Sequence, residues 1–589
     1  MTALDELTLC AAFQRTAAVD PDAVALRTPG DAVQLTWGEY AARVRDVAAA
    51  LAALGVRRGD AVALMMANRP EFHIFDTAAM HLGATPFSVY NTSAPGQINY
   101  LLAHSGAQVV VCDAEYVARV REAAPDLPHI ICVDGRVDGA TSMEEFEANA
   151  DPSFDVESAW RAVEPDDVLT LIYTSGTTGP PKGVELTHAN MMAQLWAATE
   201  VFDIRHGDRI TSYLPSAHVA DRLSCHYIQM TQGTQITCVA DMNAIVPALV
   251  DTRPTFWVAV PRVWEKLKAG IEAQLAAIAE PDMRAAATQA LEASLRRVRL
   301  EQAGEEVPAE LAEACRRADE LMLTPLRAKL GLDQVRFAMS GAAAVSPEVL
   351  EFFLALGITI CEIWGMSETV GATTGNPPQK VKVGSVGPPL PGVELRIAED
   401  GEALVRGPIV MRGYRNDPER TAEVLTTDGW LHTGDIVTQD ADGYVTVTGR
   451  KKELIINSAG KNMSPANIET TILASIPGLA SVVVIGDARP YNVALVVLDS
   501  EMAPGIAAQQ GISDTSVAAL ASCPTFREFV EAGMSDANAK LSRVEQIKRF
   551  EILSSTWEPG GDEITPTMKL RRSNITEKYA EHIERLYAG

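Results

Sequence analysis

The 589-residue sequence has no apolar run near the ~18 residues that a membrane-spanning helix requires. Stretches such as 61–67 (AVALMMA) are only as long as buried strands. Positive charge is scarce: 50 Lys and Arg stand against 77 Asp and Glu, a net charge of −27. That balance excludes broad nucleic-acid binding, which needs basic surface to replace counterions, but leaves room for a local basic pocket around an anion such as a nucleotide. The eight cysteines form no CxxC pair and no Cys/His cluster. Reduced, mostly core cysteines of a cytoplasmic protein are therefore expected, with no structural zinc. Asp5 and Glu6 precede any basic residue, the reverse of a secretory signal. No fixed-period repeat and no long low-complexity linker is present.

What is there reads as a folded, multi-unit chain. Hydrophobic residues make up 47% and charged residues 22%, and ~150 residues per domain gives about four domain-sized units. Residues 39–54 and 71–82 carry helical apolar spacing, while 61–67, 109–112, 130–133 and 168–173 are short β-rich runs. This βαβα rhythm predicts a mostly parallel sheet with helices on both faces. From 263 to 330 the chain is rich in Ala, Glu, Leu and Arg and should be helical, divided by Pro281, Gly304, Pro308 and Pro325. After Asp400 the texture changes to short strands with Asp-Gly turns at 400–401, 428–429 and 442–443. From Lys451 the tail is again mixed α/β.

Residues 173–184 (YTSGTTGPPKGV) hold the densest chemistry. Thr174, Ser175, Thr177 and Thr178 surround Gly176 and Gly179, and Lys182 follows. Glycines let backbone N–H groups approach phosphate oxygens, hydroxyls add donors, and the lysine supplies countercharge. The segment is not a Walker A loop, since no Gly-Lys-[Ser/Thr] ending is present.

This string closely resembles the phosphate loop of the adenylate-forming superfamily, which includes acyl-CoA synthetases, luciferases and nonribosomal-peptide adenylation domains. Further segments resemble the same family in the same order. They are 340–343 (SGAA), 363–369 (IWGMSET), 430–435 (WLHTGD), 443–452 (GYVTVTGRKK) and 566–572 (PTMKLRR), and the likeness runs from about Thr36 to the end. The resemblance implies an α/β fold in two parts. A large domain over 1–450, with mixed and parallel sheets and a small β-rich subdomain, would hold nucleotide and acyl group. A small mobile α/β domain over 451–589 would close over them.

Each implied role has a chemical reason. A carboxylate cannot acylate a thiol at useful rates, because hydroxide is a poor leaving group. Attack on the α-phosphorus of ATP makes a mixed anhydride, from which AMP can leave. An anion must then meet a polyanion, so cations and N–H donors have to wait there. The resemblance makes Glu368 the magnesium ligand with Thr178, and Thr369 beside them. Lys182 would face the phosphates. Ser340, Gly341 and Ala342 would form the adenine-side turn, and Trp364, before Gly365, would offer a flat face to the adenine or be a buried structural tryptophan, where a family tyrosine is more usual. Asp435 would accept from the ribose hydroxyls and Arg450 would reach ribose or phosphate. Lys569 would bridge carboxylate and α-phosphate, Lys452 would be the hinge, and Gly460, within 459–463 (AGKNM), would line the pantetheine tunnel.

The acyl group implied is a long-chain fatty acid. The 79 positions from Pro261 to Ser340 resemble the insertion of long-chain and bubblegum-type acyl-CoA synthetases. So do 213–222 (YLPSAHVADR) and the Thr-Pro-Thr-x-Lys string; His218 would line the acyl tunnel or be a core-facing helix-cap histidine. ATP, Mg2+ and coenzyme A are the implied cofactors, since no carrier-protein serine motif follows Lys569. A fatty acyl-AMP ligase or aryl-acid ligase feeding a carrier protein, and a non-catalytic acyl-adenylate binder, are the alternatives. Long-chain substrates would suit loose peripheral membrane association, but no anchor is encoded.

Overall fold

Every residue of Ala61–Met65 is apolar, and in the computed structural model every one is buried, as a strand covered on both faces requires. The structure describes residues 2–174, 180–457, 461–565 and 568–588. Ala61–Met65 lies within a wholly parallel sheet, between Thr85–Ser88 on one side and Val109–Cys112, His129–Cys132 and Thr141–Ser142 on the other. The preceding helix, Trp37–Ala53, starts at a capping box: Thr36 Oγ1 accepts from the Glu39 N–H, and the Glu39 carboxylate accepts from the Thr36 N–H. Its Tyr40, Val44, Val47 and Leu51, spaced by four, three and four, are buried.

A second sheet runs Arg209–Ser212, Gln235–Cys238, Val24–Arg27 and Gln34–Thr36. In a third, Phe256–Val258, Phe337–Ser340 and Ile360–Trp364 are parallel and Thr374–Gly375 closes antiparallel. Ser340 and Trp364 thus stand at the carboxyl ends of adjacent parallel strands, the edge where open α/β sheets form their sites. An antiparallel meander follows, through Glu394–Ile397, Glu402–Arg406, Leu431–Gln439 and Val445–Arg450. Its Asp-Gly turns place Gly401 and Gly443 at φ of +86° and +85°, a region that costs glycine nothing.

After Arg450 the packing changes owner. Leu479–Ile485, Asn492–Leu498 and Ile547–Leu553 form a small sheet with apolar clusters on both faces. Val482 and Val484 point into one cluster, with Ile468 and Phe526. Val483, between them, points into the other, with Ile575 and Ile583, as the two-residue period of a strand dictates. Neither cluster includes a residue before Ile455. Charged pairs reach across to the large unit: Arg262 with Asp499, Lys266 with Glu501 at 2.6 Å, and Lys540 with Glu348 at 3.0 Å.

The helical insertion comprises Pro261–Ala276, Pro281–Ala303, Ala309–Ala318 and Thr324–Lys329. Pro281 opens a helix, Gly304 ends it at φ +71°, and Pro308 caps the next. Pro325, read from sequence as a divider, does not divide. The chain passes from Ala318 to Thr324 through a π-helical turn, Asp319–Leu323, and stays helical. That wider turn absorbs a residue whose missing N–H would break an α-helix.

A second π segment, Arg222–Tyr227, follows His218 and carries a wholly buried charge cluster. Arg222 donates to Asp76 (2.5 Å), to the Tyr227 hydroxyl (2.9 Å), to Ser88 (3.0 Å) and to the Ser216 carbonyl (3.0 Å). His226 Nε2 meets the other Asp76 oxygen at 2.9 Å. Burial pushes the Asp76 carboxyl up, but Arg222 and His226 outweigh it and hold the group below its ordinary range. Asp76→Ala would leave a buried guanidinium uncompensated and should cost roughly 3–5 kcal/mol. Guanidinium-chloride unfolding followed by tryptophan fluorescence should show an earlier midpoint for the large unit. An unchanged midpoint would mean the cluster stabilises nothing.

Candidate active site

Strand Val168–Thr174 leads into the glycine-rich loop, and Lys182–Thr187 returns antiparallel, with Thr174 opposite Lys182. Ser175, Gly176, Thr177, Thr178 and Gly179 lie outside the described residues, as does Gly460. The loop's base is braced: the Tyr100 hydroxyl donates to the Pro181 carbonyl at 3.0 Å, and Tyr173 hydrogen-bonds His104 Nδ1 at 3.0 Å. The short strand Gly413–Tyr414 pairs on the outer side of the return strand, which sets the Tyr414 ring 4.5 Å from Lys182 Nζ.

On the neighbouring sheet edge, Ser340 is buried and its hydroxyl has no hydrogen-bond partner among the described residues. A buried, unpaired hydroxyl costs free energy unless a ligand satisfies it. Ala342 sits at φ +70°, a left-handed conformation rare for a residue with a Cβ. At Gly365 a Cβ would stand 2.5 Å from the Gly371 carbonyl oxygen, so only glycine fits where the strand meets the following turn.

That turn, Ser367–Thr369, carries Glu368, which is buried. Its carbonyl accepts from the Met411 N–H at 2.8 Å, and its Oε1 accepts from the Tyr414 hydroxyl at 2.8 Å. Oε2 is then the oxygen that could meet a hard cation. Thr369 is different. Its hydroxyl donates to the Met366 carbonyl (3.2 Å) and accepts from the Met366 N–H (3.1 Å) and from Thr373 (2.8 Å). One donor and two lone pairs are all a hydroxyl has, and in this structure Thr369 uses all three to hold the turn.

Asp435 and Arg450 are cross-strand neighbours in the meander, and their side chains pair at 2.8 Å. The other Asp435 oxygen accepts from the Trp364 indole N–H at 2.9 Å. The indole itself packs among Ala403, Val405, Val437 and Val445. Trp364 is thus part of a core and holds the carboxylate by its edge. Burial raises the Asp435 carboxyl above its usual range; Arg450, Trp364 and Lys569 oppose this in part.

Lys569 enters from the small unit. The Thr565 N–H donates to the Lys569 carbonyl at 2.8 Å, and the Lys569 N–H donates to Thr565 Oγ1 at 3.0 Å, closing a tight loop around its backbone. The side chain keeps contact with water in the open cleft, but protein crowds it from both units. That crowding lowers its ammonium below the ordinary lysine range; Arg450 adds to the effect, while Asp435, Glu368 and Glu453 oppose it. His218 also feels the Lys569 charge. Burial first, and that charge second, lower its imidazole to about 4. Its Nδ1 accepts from the Ala220 N–H at 3.1 Å, so the neutral ring carries its proton on Nε2. Lys452 is exposed on the turn between the two units, whereas Lys451 pairs with Asp400 (2.5 Å) and Glu402 (3.1 Å).

Sequence reasoning missed Tyr414, because nothing in the string Gly-Tyr-Arg-Asn links it to Glu368 or Lys182. Strand pairing makes that link. It also passed over Asp76, His226 and the pairing role of Arg222, whose positions are some 150 residues apart.

A buried carboxylate turn, a carboxylate–guanidinium pair and a lysine from a second unit therefore lie within electrostatic reach of one another. The family model for AMP-binding enzymes matches residues 13–415, and that for the AMP-binding enzyme C-terminal domain matches 452–589. The chain belongs to the AMP-binding enzymes. It is 54% identical over 455 residues to the "Putative fatty-acid--CoA ligase fadD11" of Mycobacterium tuberculosis, covering 77% of this chain and 80% of that one. To the long-chain-fatty-acid–CoA ligase FadD15 of Mycobacterium bovis it is 36% identical, covering 96% and 95%. Among solved structures, the adenylation domain of a Mycobacterium chelonae carboxylate reductase superposes with a TM-score of 0.76 at 21% identity, covering 100% of this chain and 92% of that one. An anthranilate CoA ligase in complex with anthranoyl-AMP gives 0.72 at 20%, covering 98% and 99%. At these identities the structural likeness shows the fold.

A test of the Asp435 arrangement follows from its single indole donor. Trp364→Phe keeps the aromatic packing but removes a hydrogen bond to a charged group, and should weaken AMP binding by roughly tenfold. Isothermal titration measures this directly; unaltered affinity would show that Arg450 alone holds the carboxylate.

Proposed function

We propose that this AMP-binding enzyme activates a long-chain fatty acid with ATP, through an acyl-AMP, and transfers the acyl group to coenzyme A with release of AMP and pyrophosphate. The observation that carries the reading is convergence: Lys569 of the small unit shares one electrostatic neighbourhood with Glu368, Asp435 and Arg450 of the large one.

The roles follow from charge and donor type. Lys182, with the loop it closes, offers countercharge to departing pyrophosphate. Lys569 stabilises the charge that builds at the α-phosphorus as the substrate carboxylate attacks, the moment when a fixed cation lowers the barrier most. Asp435 accepts from ribose hydroxyls, and Arg450 both neutralises Asp435 and reaches outward. The unpaired Ser340 hydroxyl and the glycine-only step at Gly365 suit a flat nucleobase sliding close to backbone. Glu368 fits magnesium, being a carboxylate with one oxygen already anchored; Mg2+ bound there would shield phosphate charge.

The fatty-acid reading rests on the names of the relatives, FadD15 and fadD11 among them, and on the helical insertion 261–330. His218, neutral and largely buried, would line the acyl passage without placing a charge in it. Thioester formation requires Lys569 to withdraw so that the thiol can reach the acyl carbonyl. Lys452, exposed between the two units, would be the hinge, with 459–463 lining the pantetheine path afterwards. A fatty acyl-AMP ligase or aryl-acid ligase serving a carrier protein, or a non-catalytic binder, has nothing further in its favour. We read it as a cytoplasmic enzyme that meets its lipid at a membrane surface, because long-chain acids partition there; among the described residues no helix is long and apolar enough to cross a membrane.

The test has two arms. With CoA present, kcat/KM should climb with chain length from acetate towards stearate, each buried methylene contributing up to ~0.8 kcal/mol until the passage is full. A maximum at acetate or benzoate would refute the substrate class. Lys569→Ala should lower acid-dependent pyrophosphate exchange by two or more orders of magnitude. It should leave thioester formation from supplied acyl-AMP nearly intact. Because the Lys569 ammonium titrates low, exchange should fall on the alkaline side earlier than an ordinary lysine near 10.4 would allow. The residual rate of Lys569→Ala should lack that limb.

A further inference from the structure

Lys182 and Glu368 lie 186 positions apart in sequence and bear opposite charges, yet each is met by Tyr414 rather than paired with the other among the described residues. Tyr414 stands in contact with both. Its hydroxyl donates to Glu368 Oε1 at 2.8 Å, and its ring takes the Lys182 ammonium at 4.5 Å from the centroid. We propose that Tyr414 is a positioning residue that keeps the Lys182 cation and the Glu368 carboxylate apart and separately oriented, so that each is available to a metal–nucleotide complex. This deepens the reading of Glu368 as the metal-binding carboxylate and rests on it.

The geometry makes Tyr414 suited to that task. A phenol is neutral, so it satisfies an anion through its O–H and a cation through its π face without cancelling either. With Oε1 held, the Glu368 side chain loses rotamer freedom and Oε2 is left for a cation. The segment around Tyr414 is itself fixed from both sides. The Met411 N–H donates to the Glu368 carbonyl at 2.8 Å, the Arg412 N–H to the Glu185 carbonyl at 3.1 Å, and the Arg415 N–H to the Gly183 carbonyl at 2.7 Å. The Tyr414 N–H donates to Thr421 Oγ1 at 2.9 Å. Residues 411–415 thus tie the carboxylate turn to the return strand of the phosphate loop, and Tyr414 is the side chain that spans the gap. Without it, lysine and glutamate could fold onto each other, and a direct salt bridge would spend the charge intended for phosphate and metal.

Two substitutions separate the two contacts. Tyr414→Phe keeps the ring under Lys182 and loses the hydroxyl; Tyr414→Leu loses both. Binding is read by isothermal titration of ATP over a range of MgCl2 concentrations, and of AMP without metal, with thermal unfolding as the check on folding. For Tyr414→Phe we expect the half-saturating Mg2+ for ATP binding to rise about tenfold, with a much smaller change in metal-free AMP affinity. For Tyr414→Leu we expect the same rise and a further severalfold loss of ATP affinity at saturating Mg2+. Glu368→Gln should raise the Mg2+ requirement by itself, and adding Tyr414→Phe to it should raise it no further, because the hydroxyl acts through that carboxylate. If Glu368→Gln leaves the Mg2+ requirement unchanged, the metal reading of Glu368 fails. If Glu368→Gln raises it and Tyr414→Phe does not, or if the two effects simply add, the positioning role of Tyr414 is overturned. Tyr414→Phe carries the test even where Tyr414→Leu fails to fold.

Discussion

Placing an ammonium from one folding unit into a carboxylate-lined cleft of another is the constraint around which this molecule is arranged. Lys569 loses hydration on entering, and Asp435, Glu368 and Glu453 return only part of what is lost. Its charged form is therefore less favoured there than it would be in open water. Asp435 shows the same tension from the other side, its carboxyl raised by burial despite an arginine at 2.8 Å. Neither group is at rest without the other, and neither belongs to the same core.

Two self-contained cores make that arrangement workable. The small unit fills both faces of its own three-stranded sheet, so its integrity does not depend on where it leans. The large unit brings its contributions to a shared edge by three different routes. Parallel strands deliver Ser340 and Trp364, an antiparallel hairpin delivers Lys182, and a meander sets Asp435 opposite Arg450. A helix, a turn or a strand alone could not gather these groups, because each comes from a separate layer.

Much of this was legible in the residues. Runs such as 61–67 and 109–112 hold strands because they are apolar throughout, and the helical spacing of 39–54 marks the helix Trp37–Ala53. Motif order singled out Asp435, Arg450 and Lys569, which the structure places within electrostatic reach of one another. What sequence could not carry was pairing at a distance. Tyr414 acquires meaning only when Gly413–Tyr414 lies against Lys182–Thr187, and Asp76 only when Arg222 and His226 arrive from some 150 residues later. For Thr369 a motif shows that a hydroxyl is nearby, not that its lone pairs are engaged by Met366 and Thr373. Pro325 was misjudged because a proline ends an α-helix but not a chain that widens into a π turn just before it.

Three of the charged contacts between the small unit and the large one differ in shelter. Lys266–Glu501 and Lys540–Glu348 are open to solvent, and such pairs hold little more than thermal energy. Only Arg262–Asp499 is substantially covered. Dissolved ions reach the open pairs freely, and the distance over which they mask charge shrinks from about 8 Å at physiological ionic strength to about 3 Å at 1 M. The two open pairs are thus contacts that the surrounding electrolyte can weaken, while the covered pair and the apolar packing inside each unit are spared. Added salt loosens part of the seam between the units before it touches either fold.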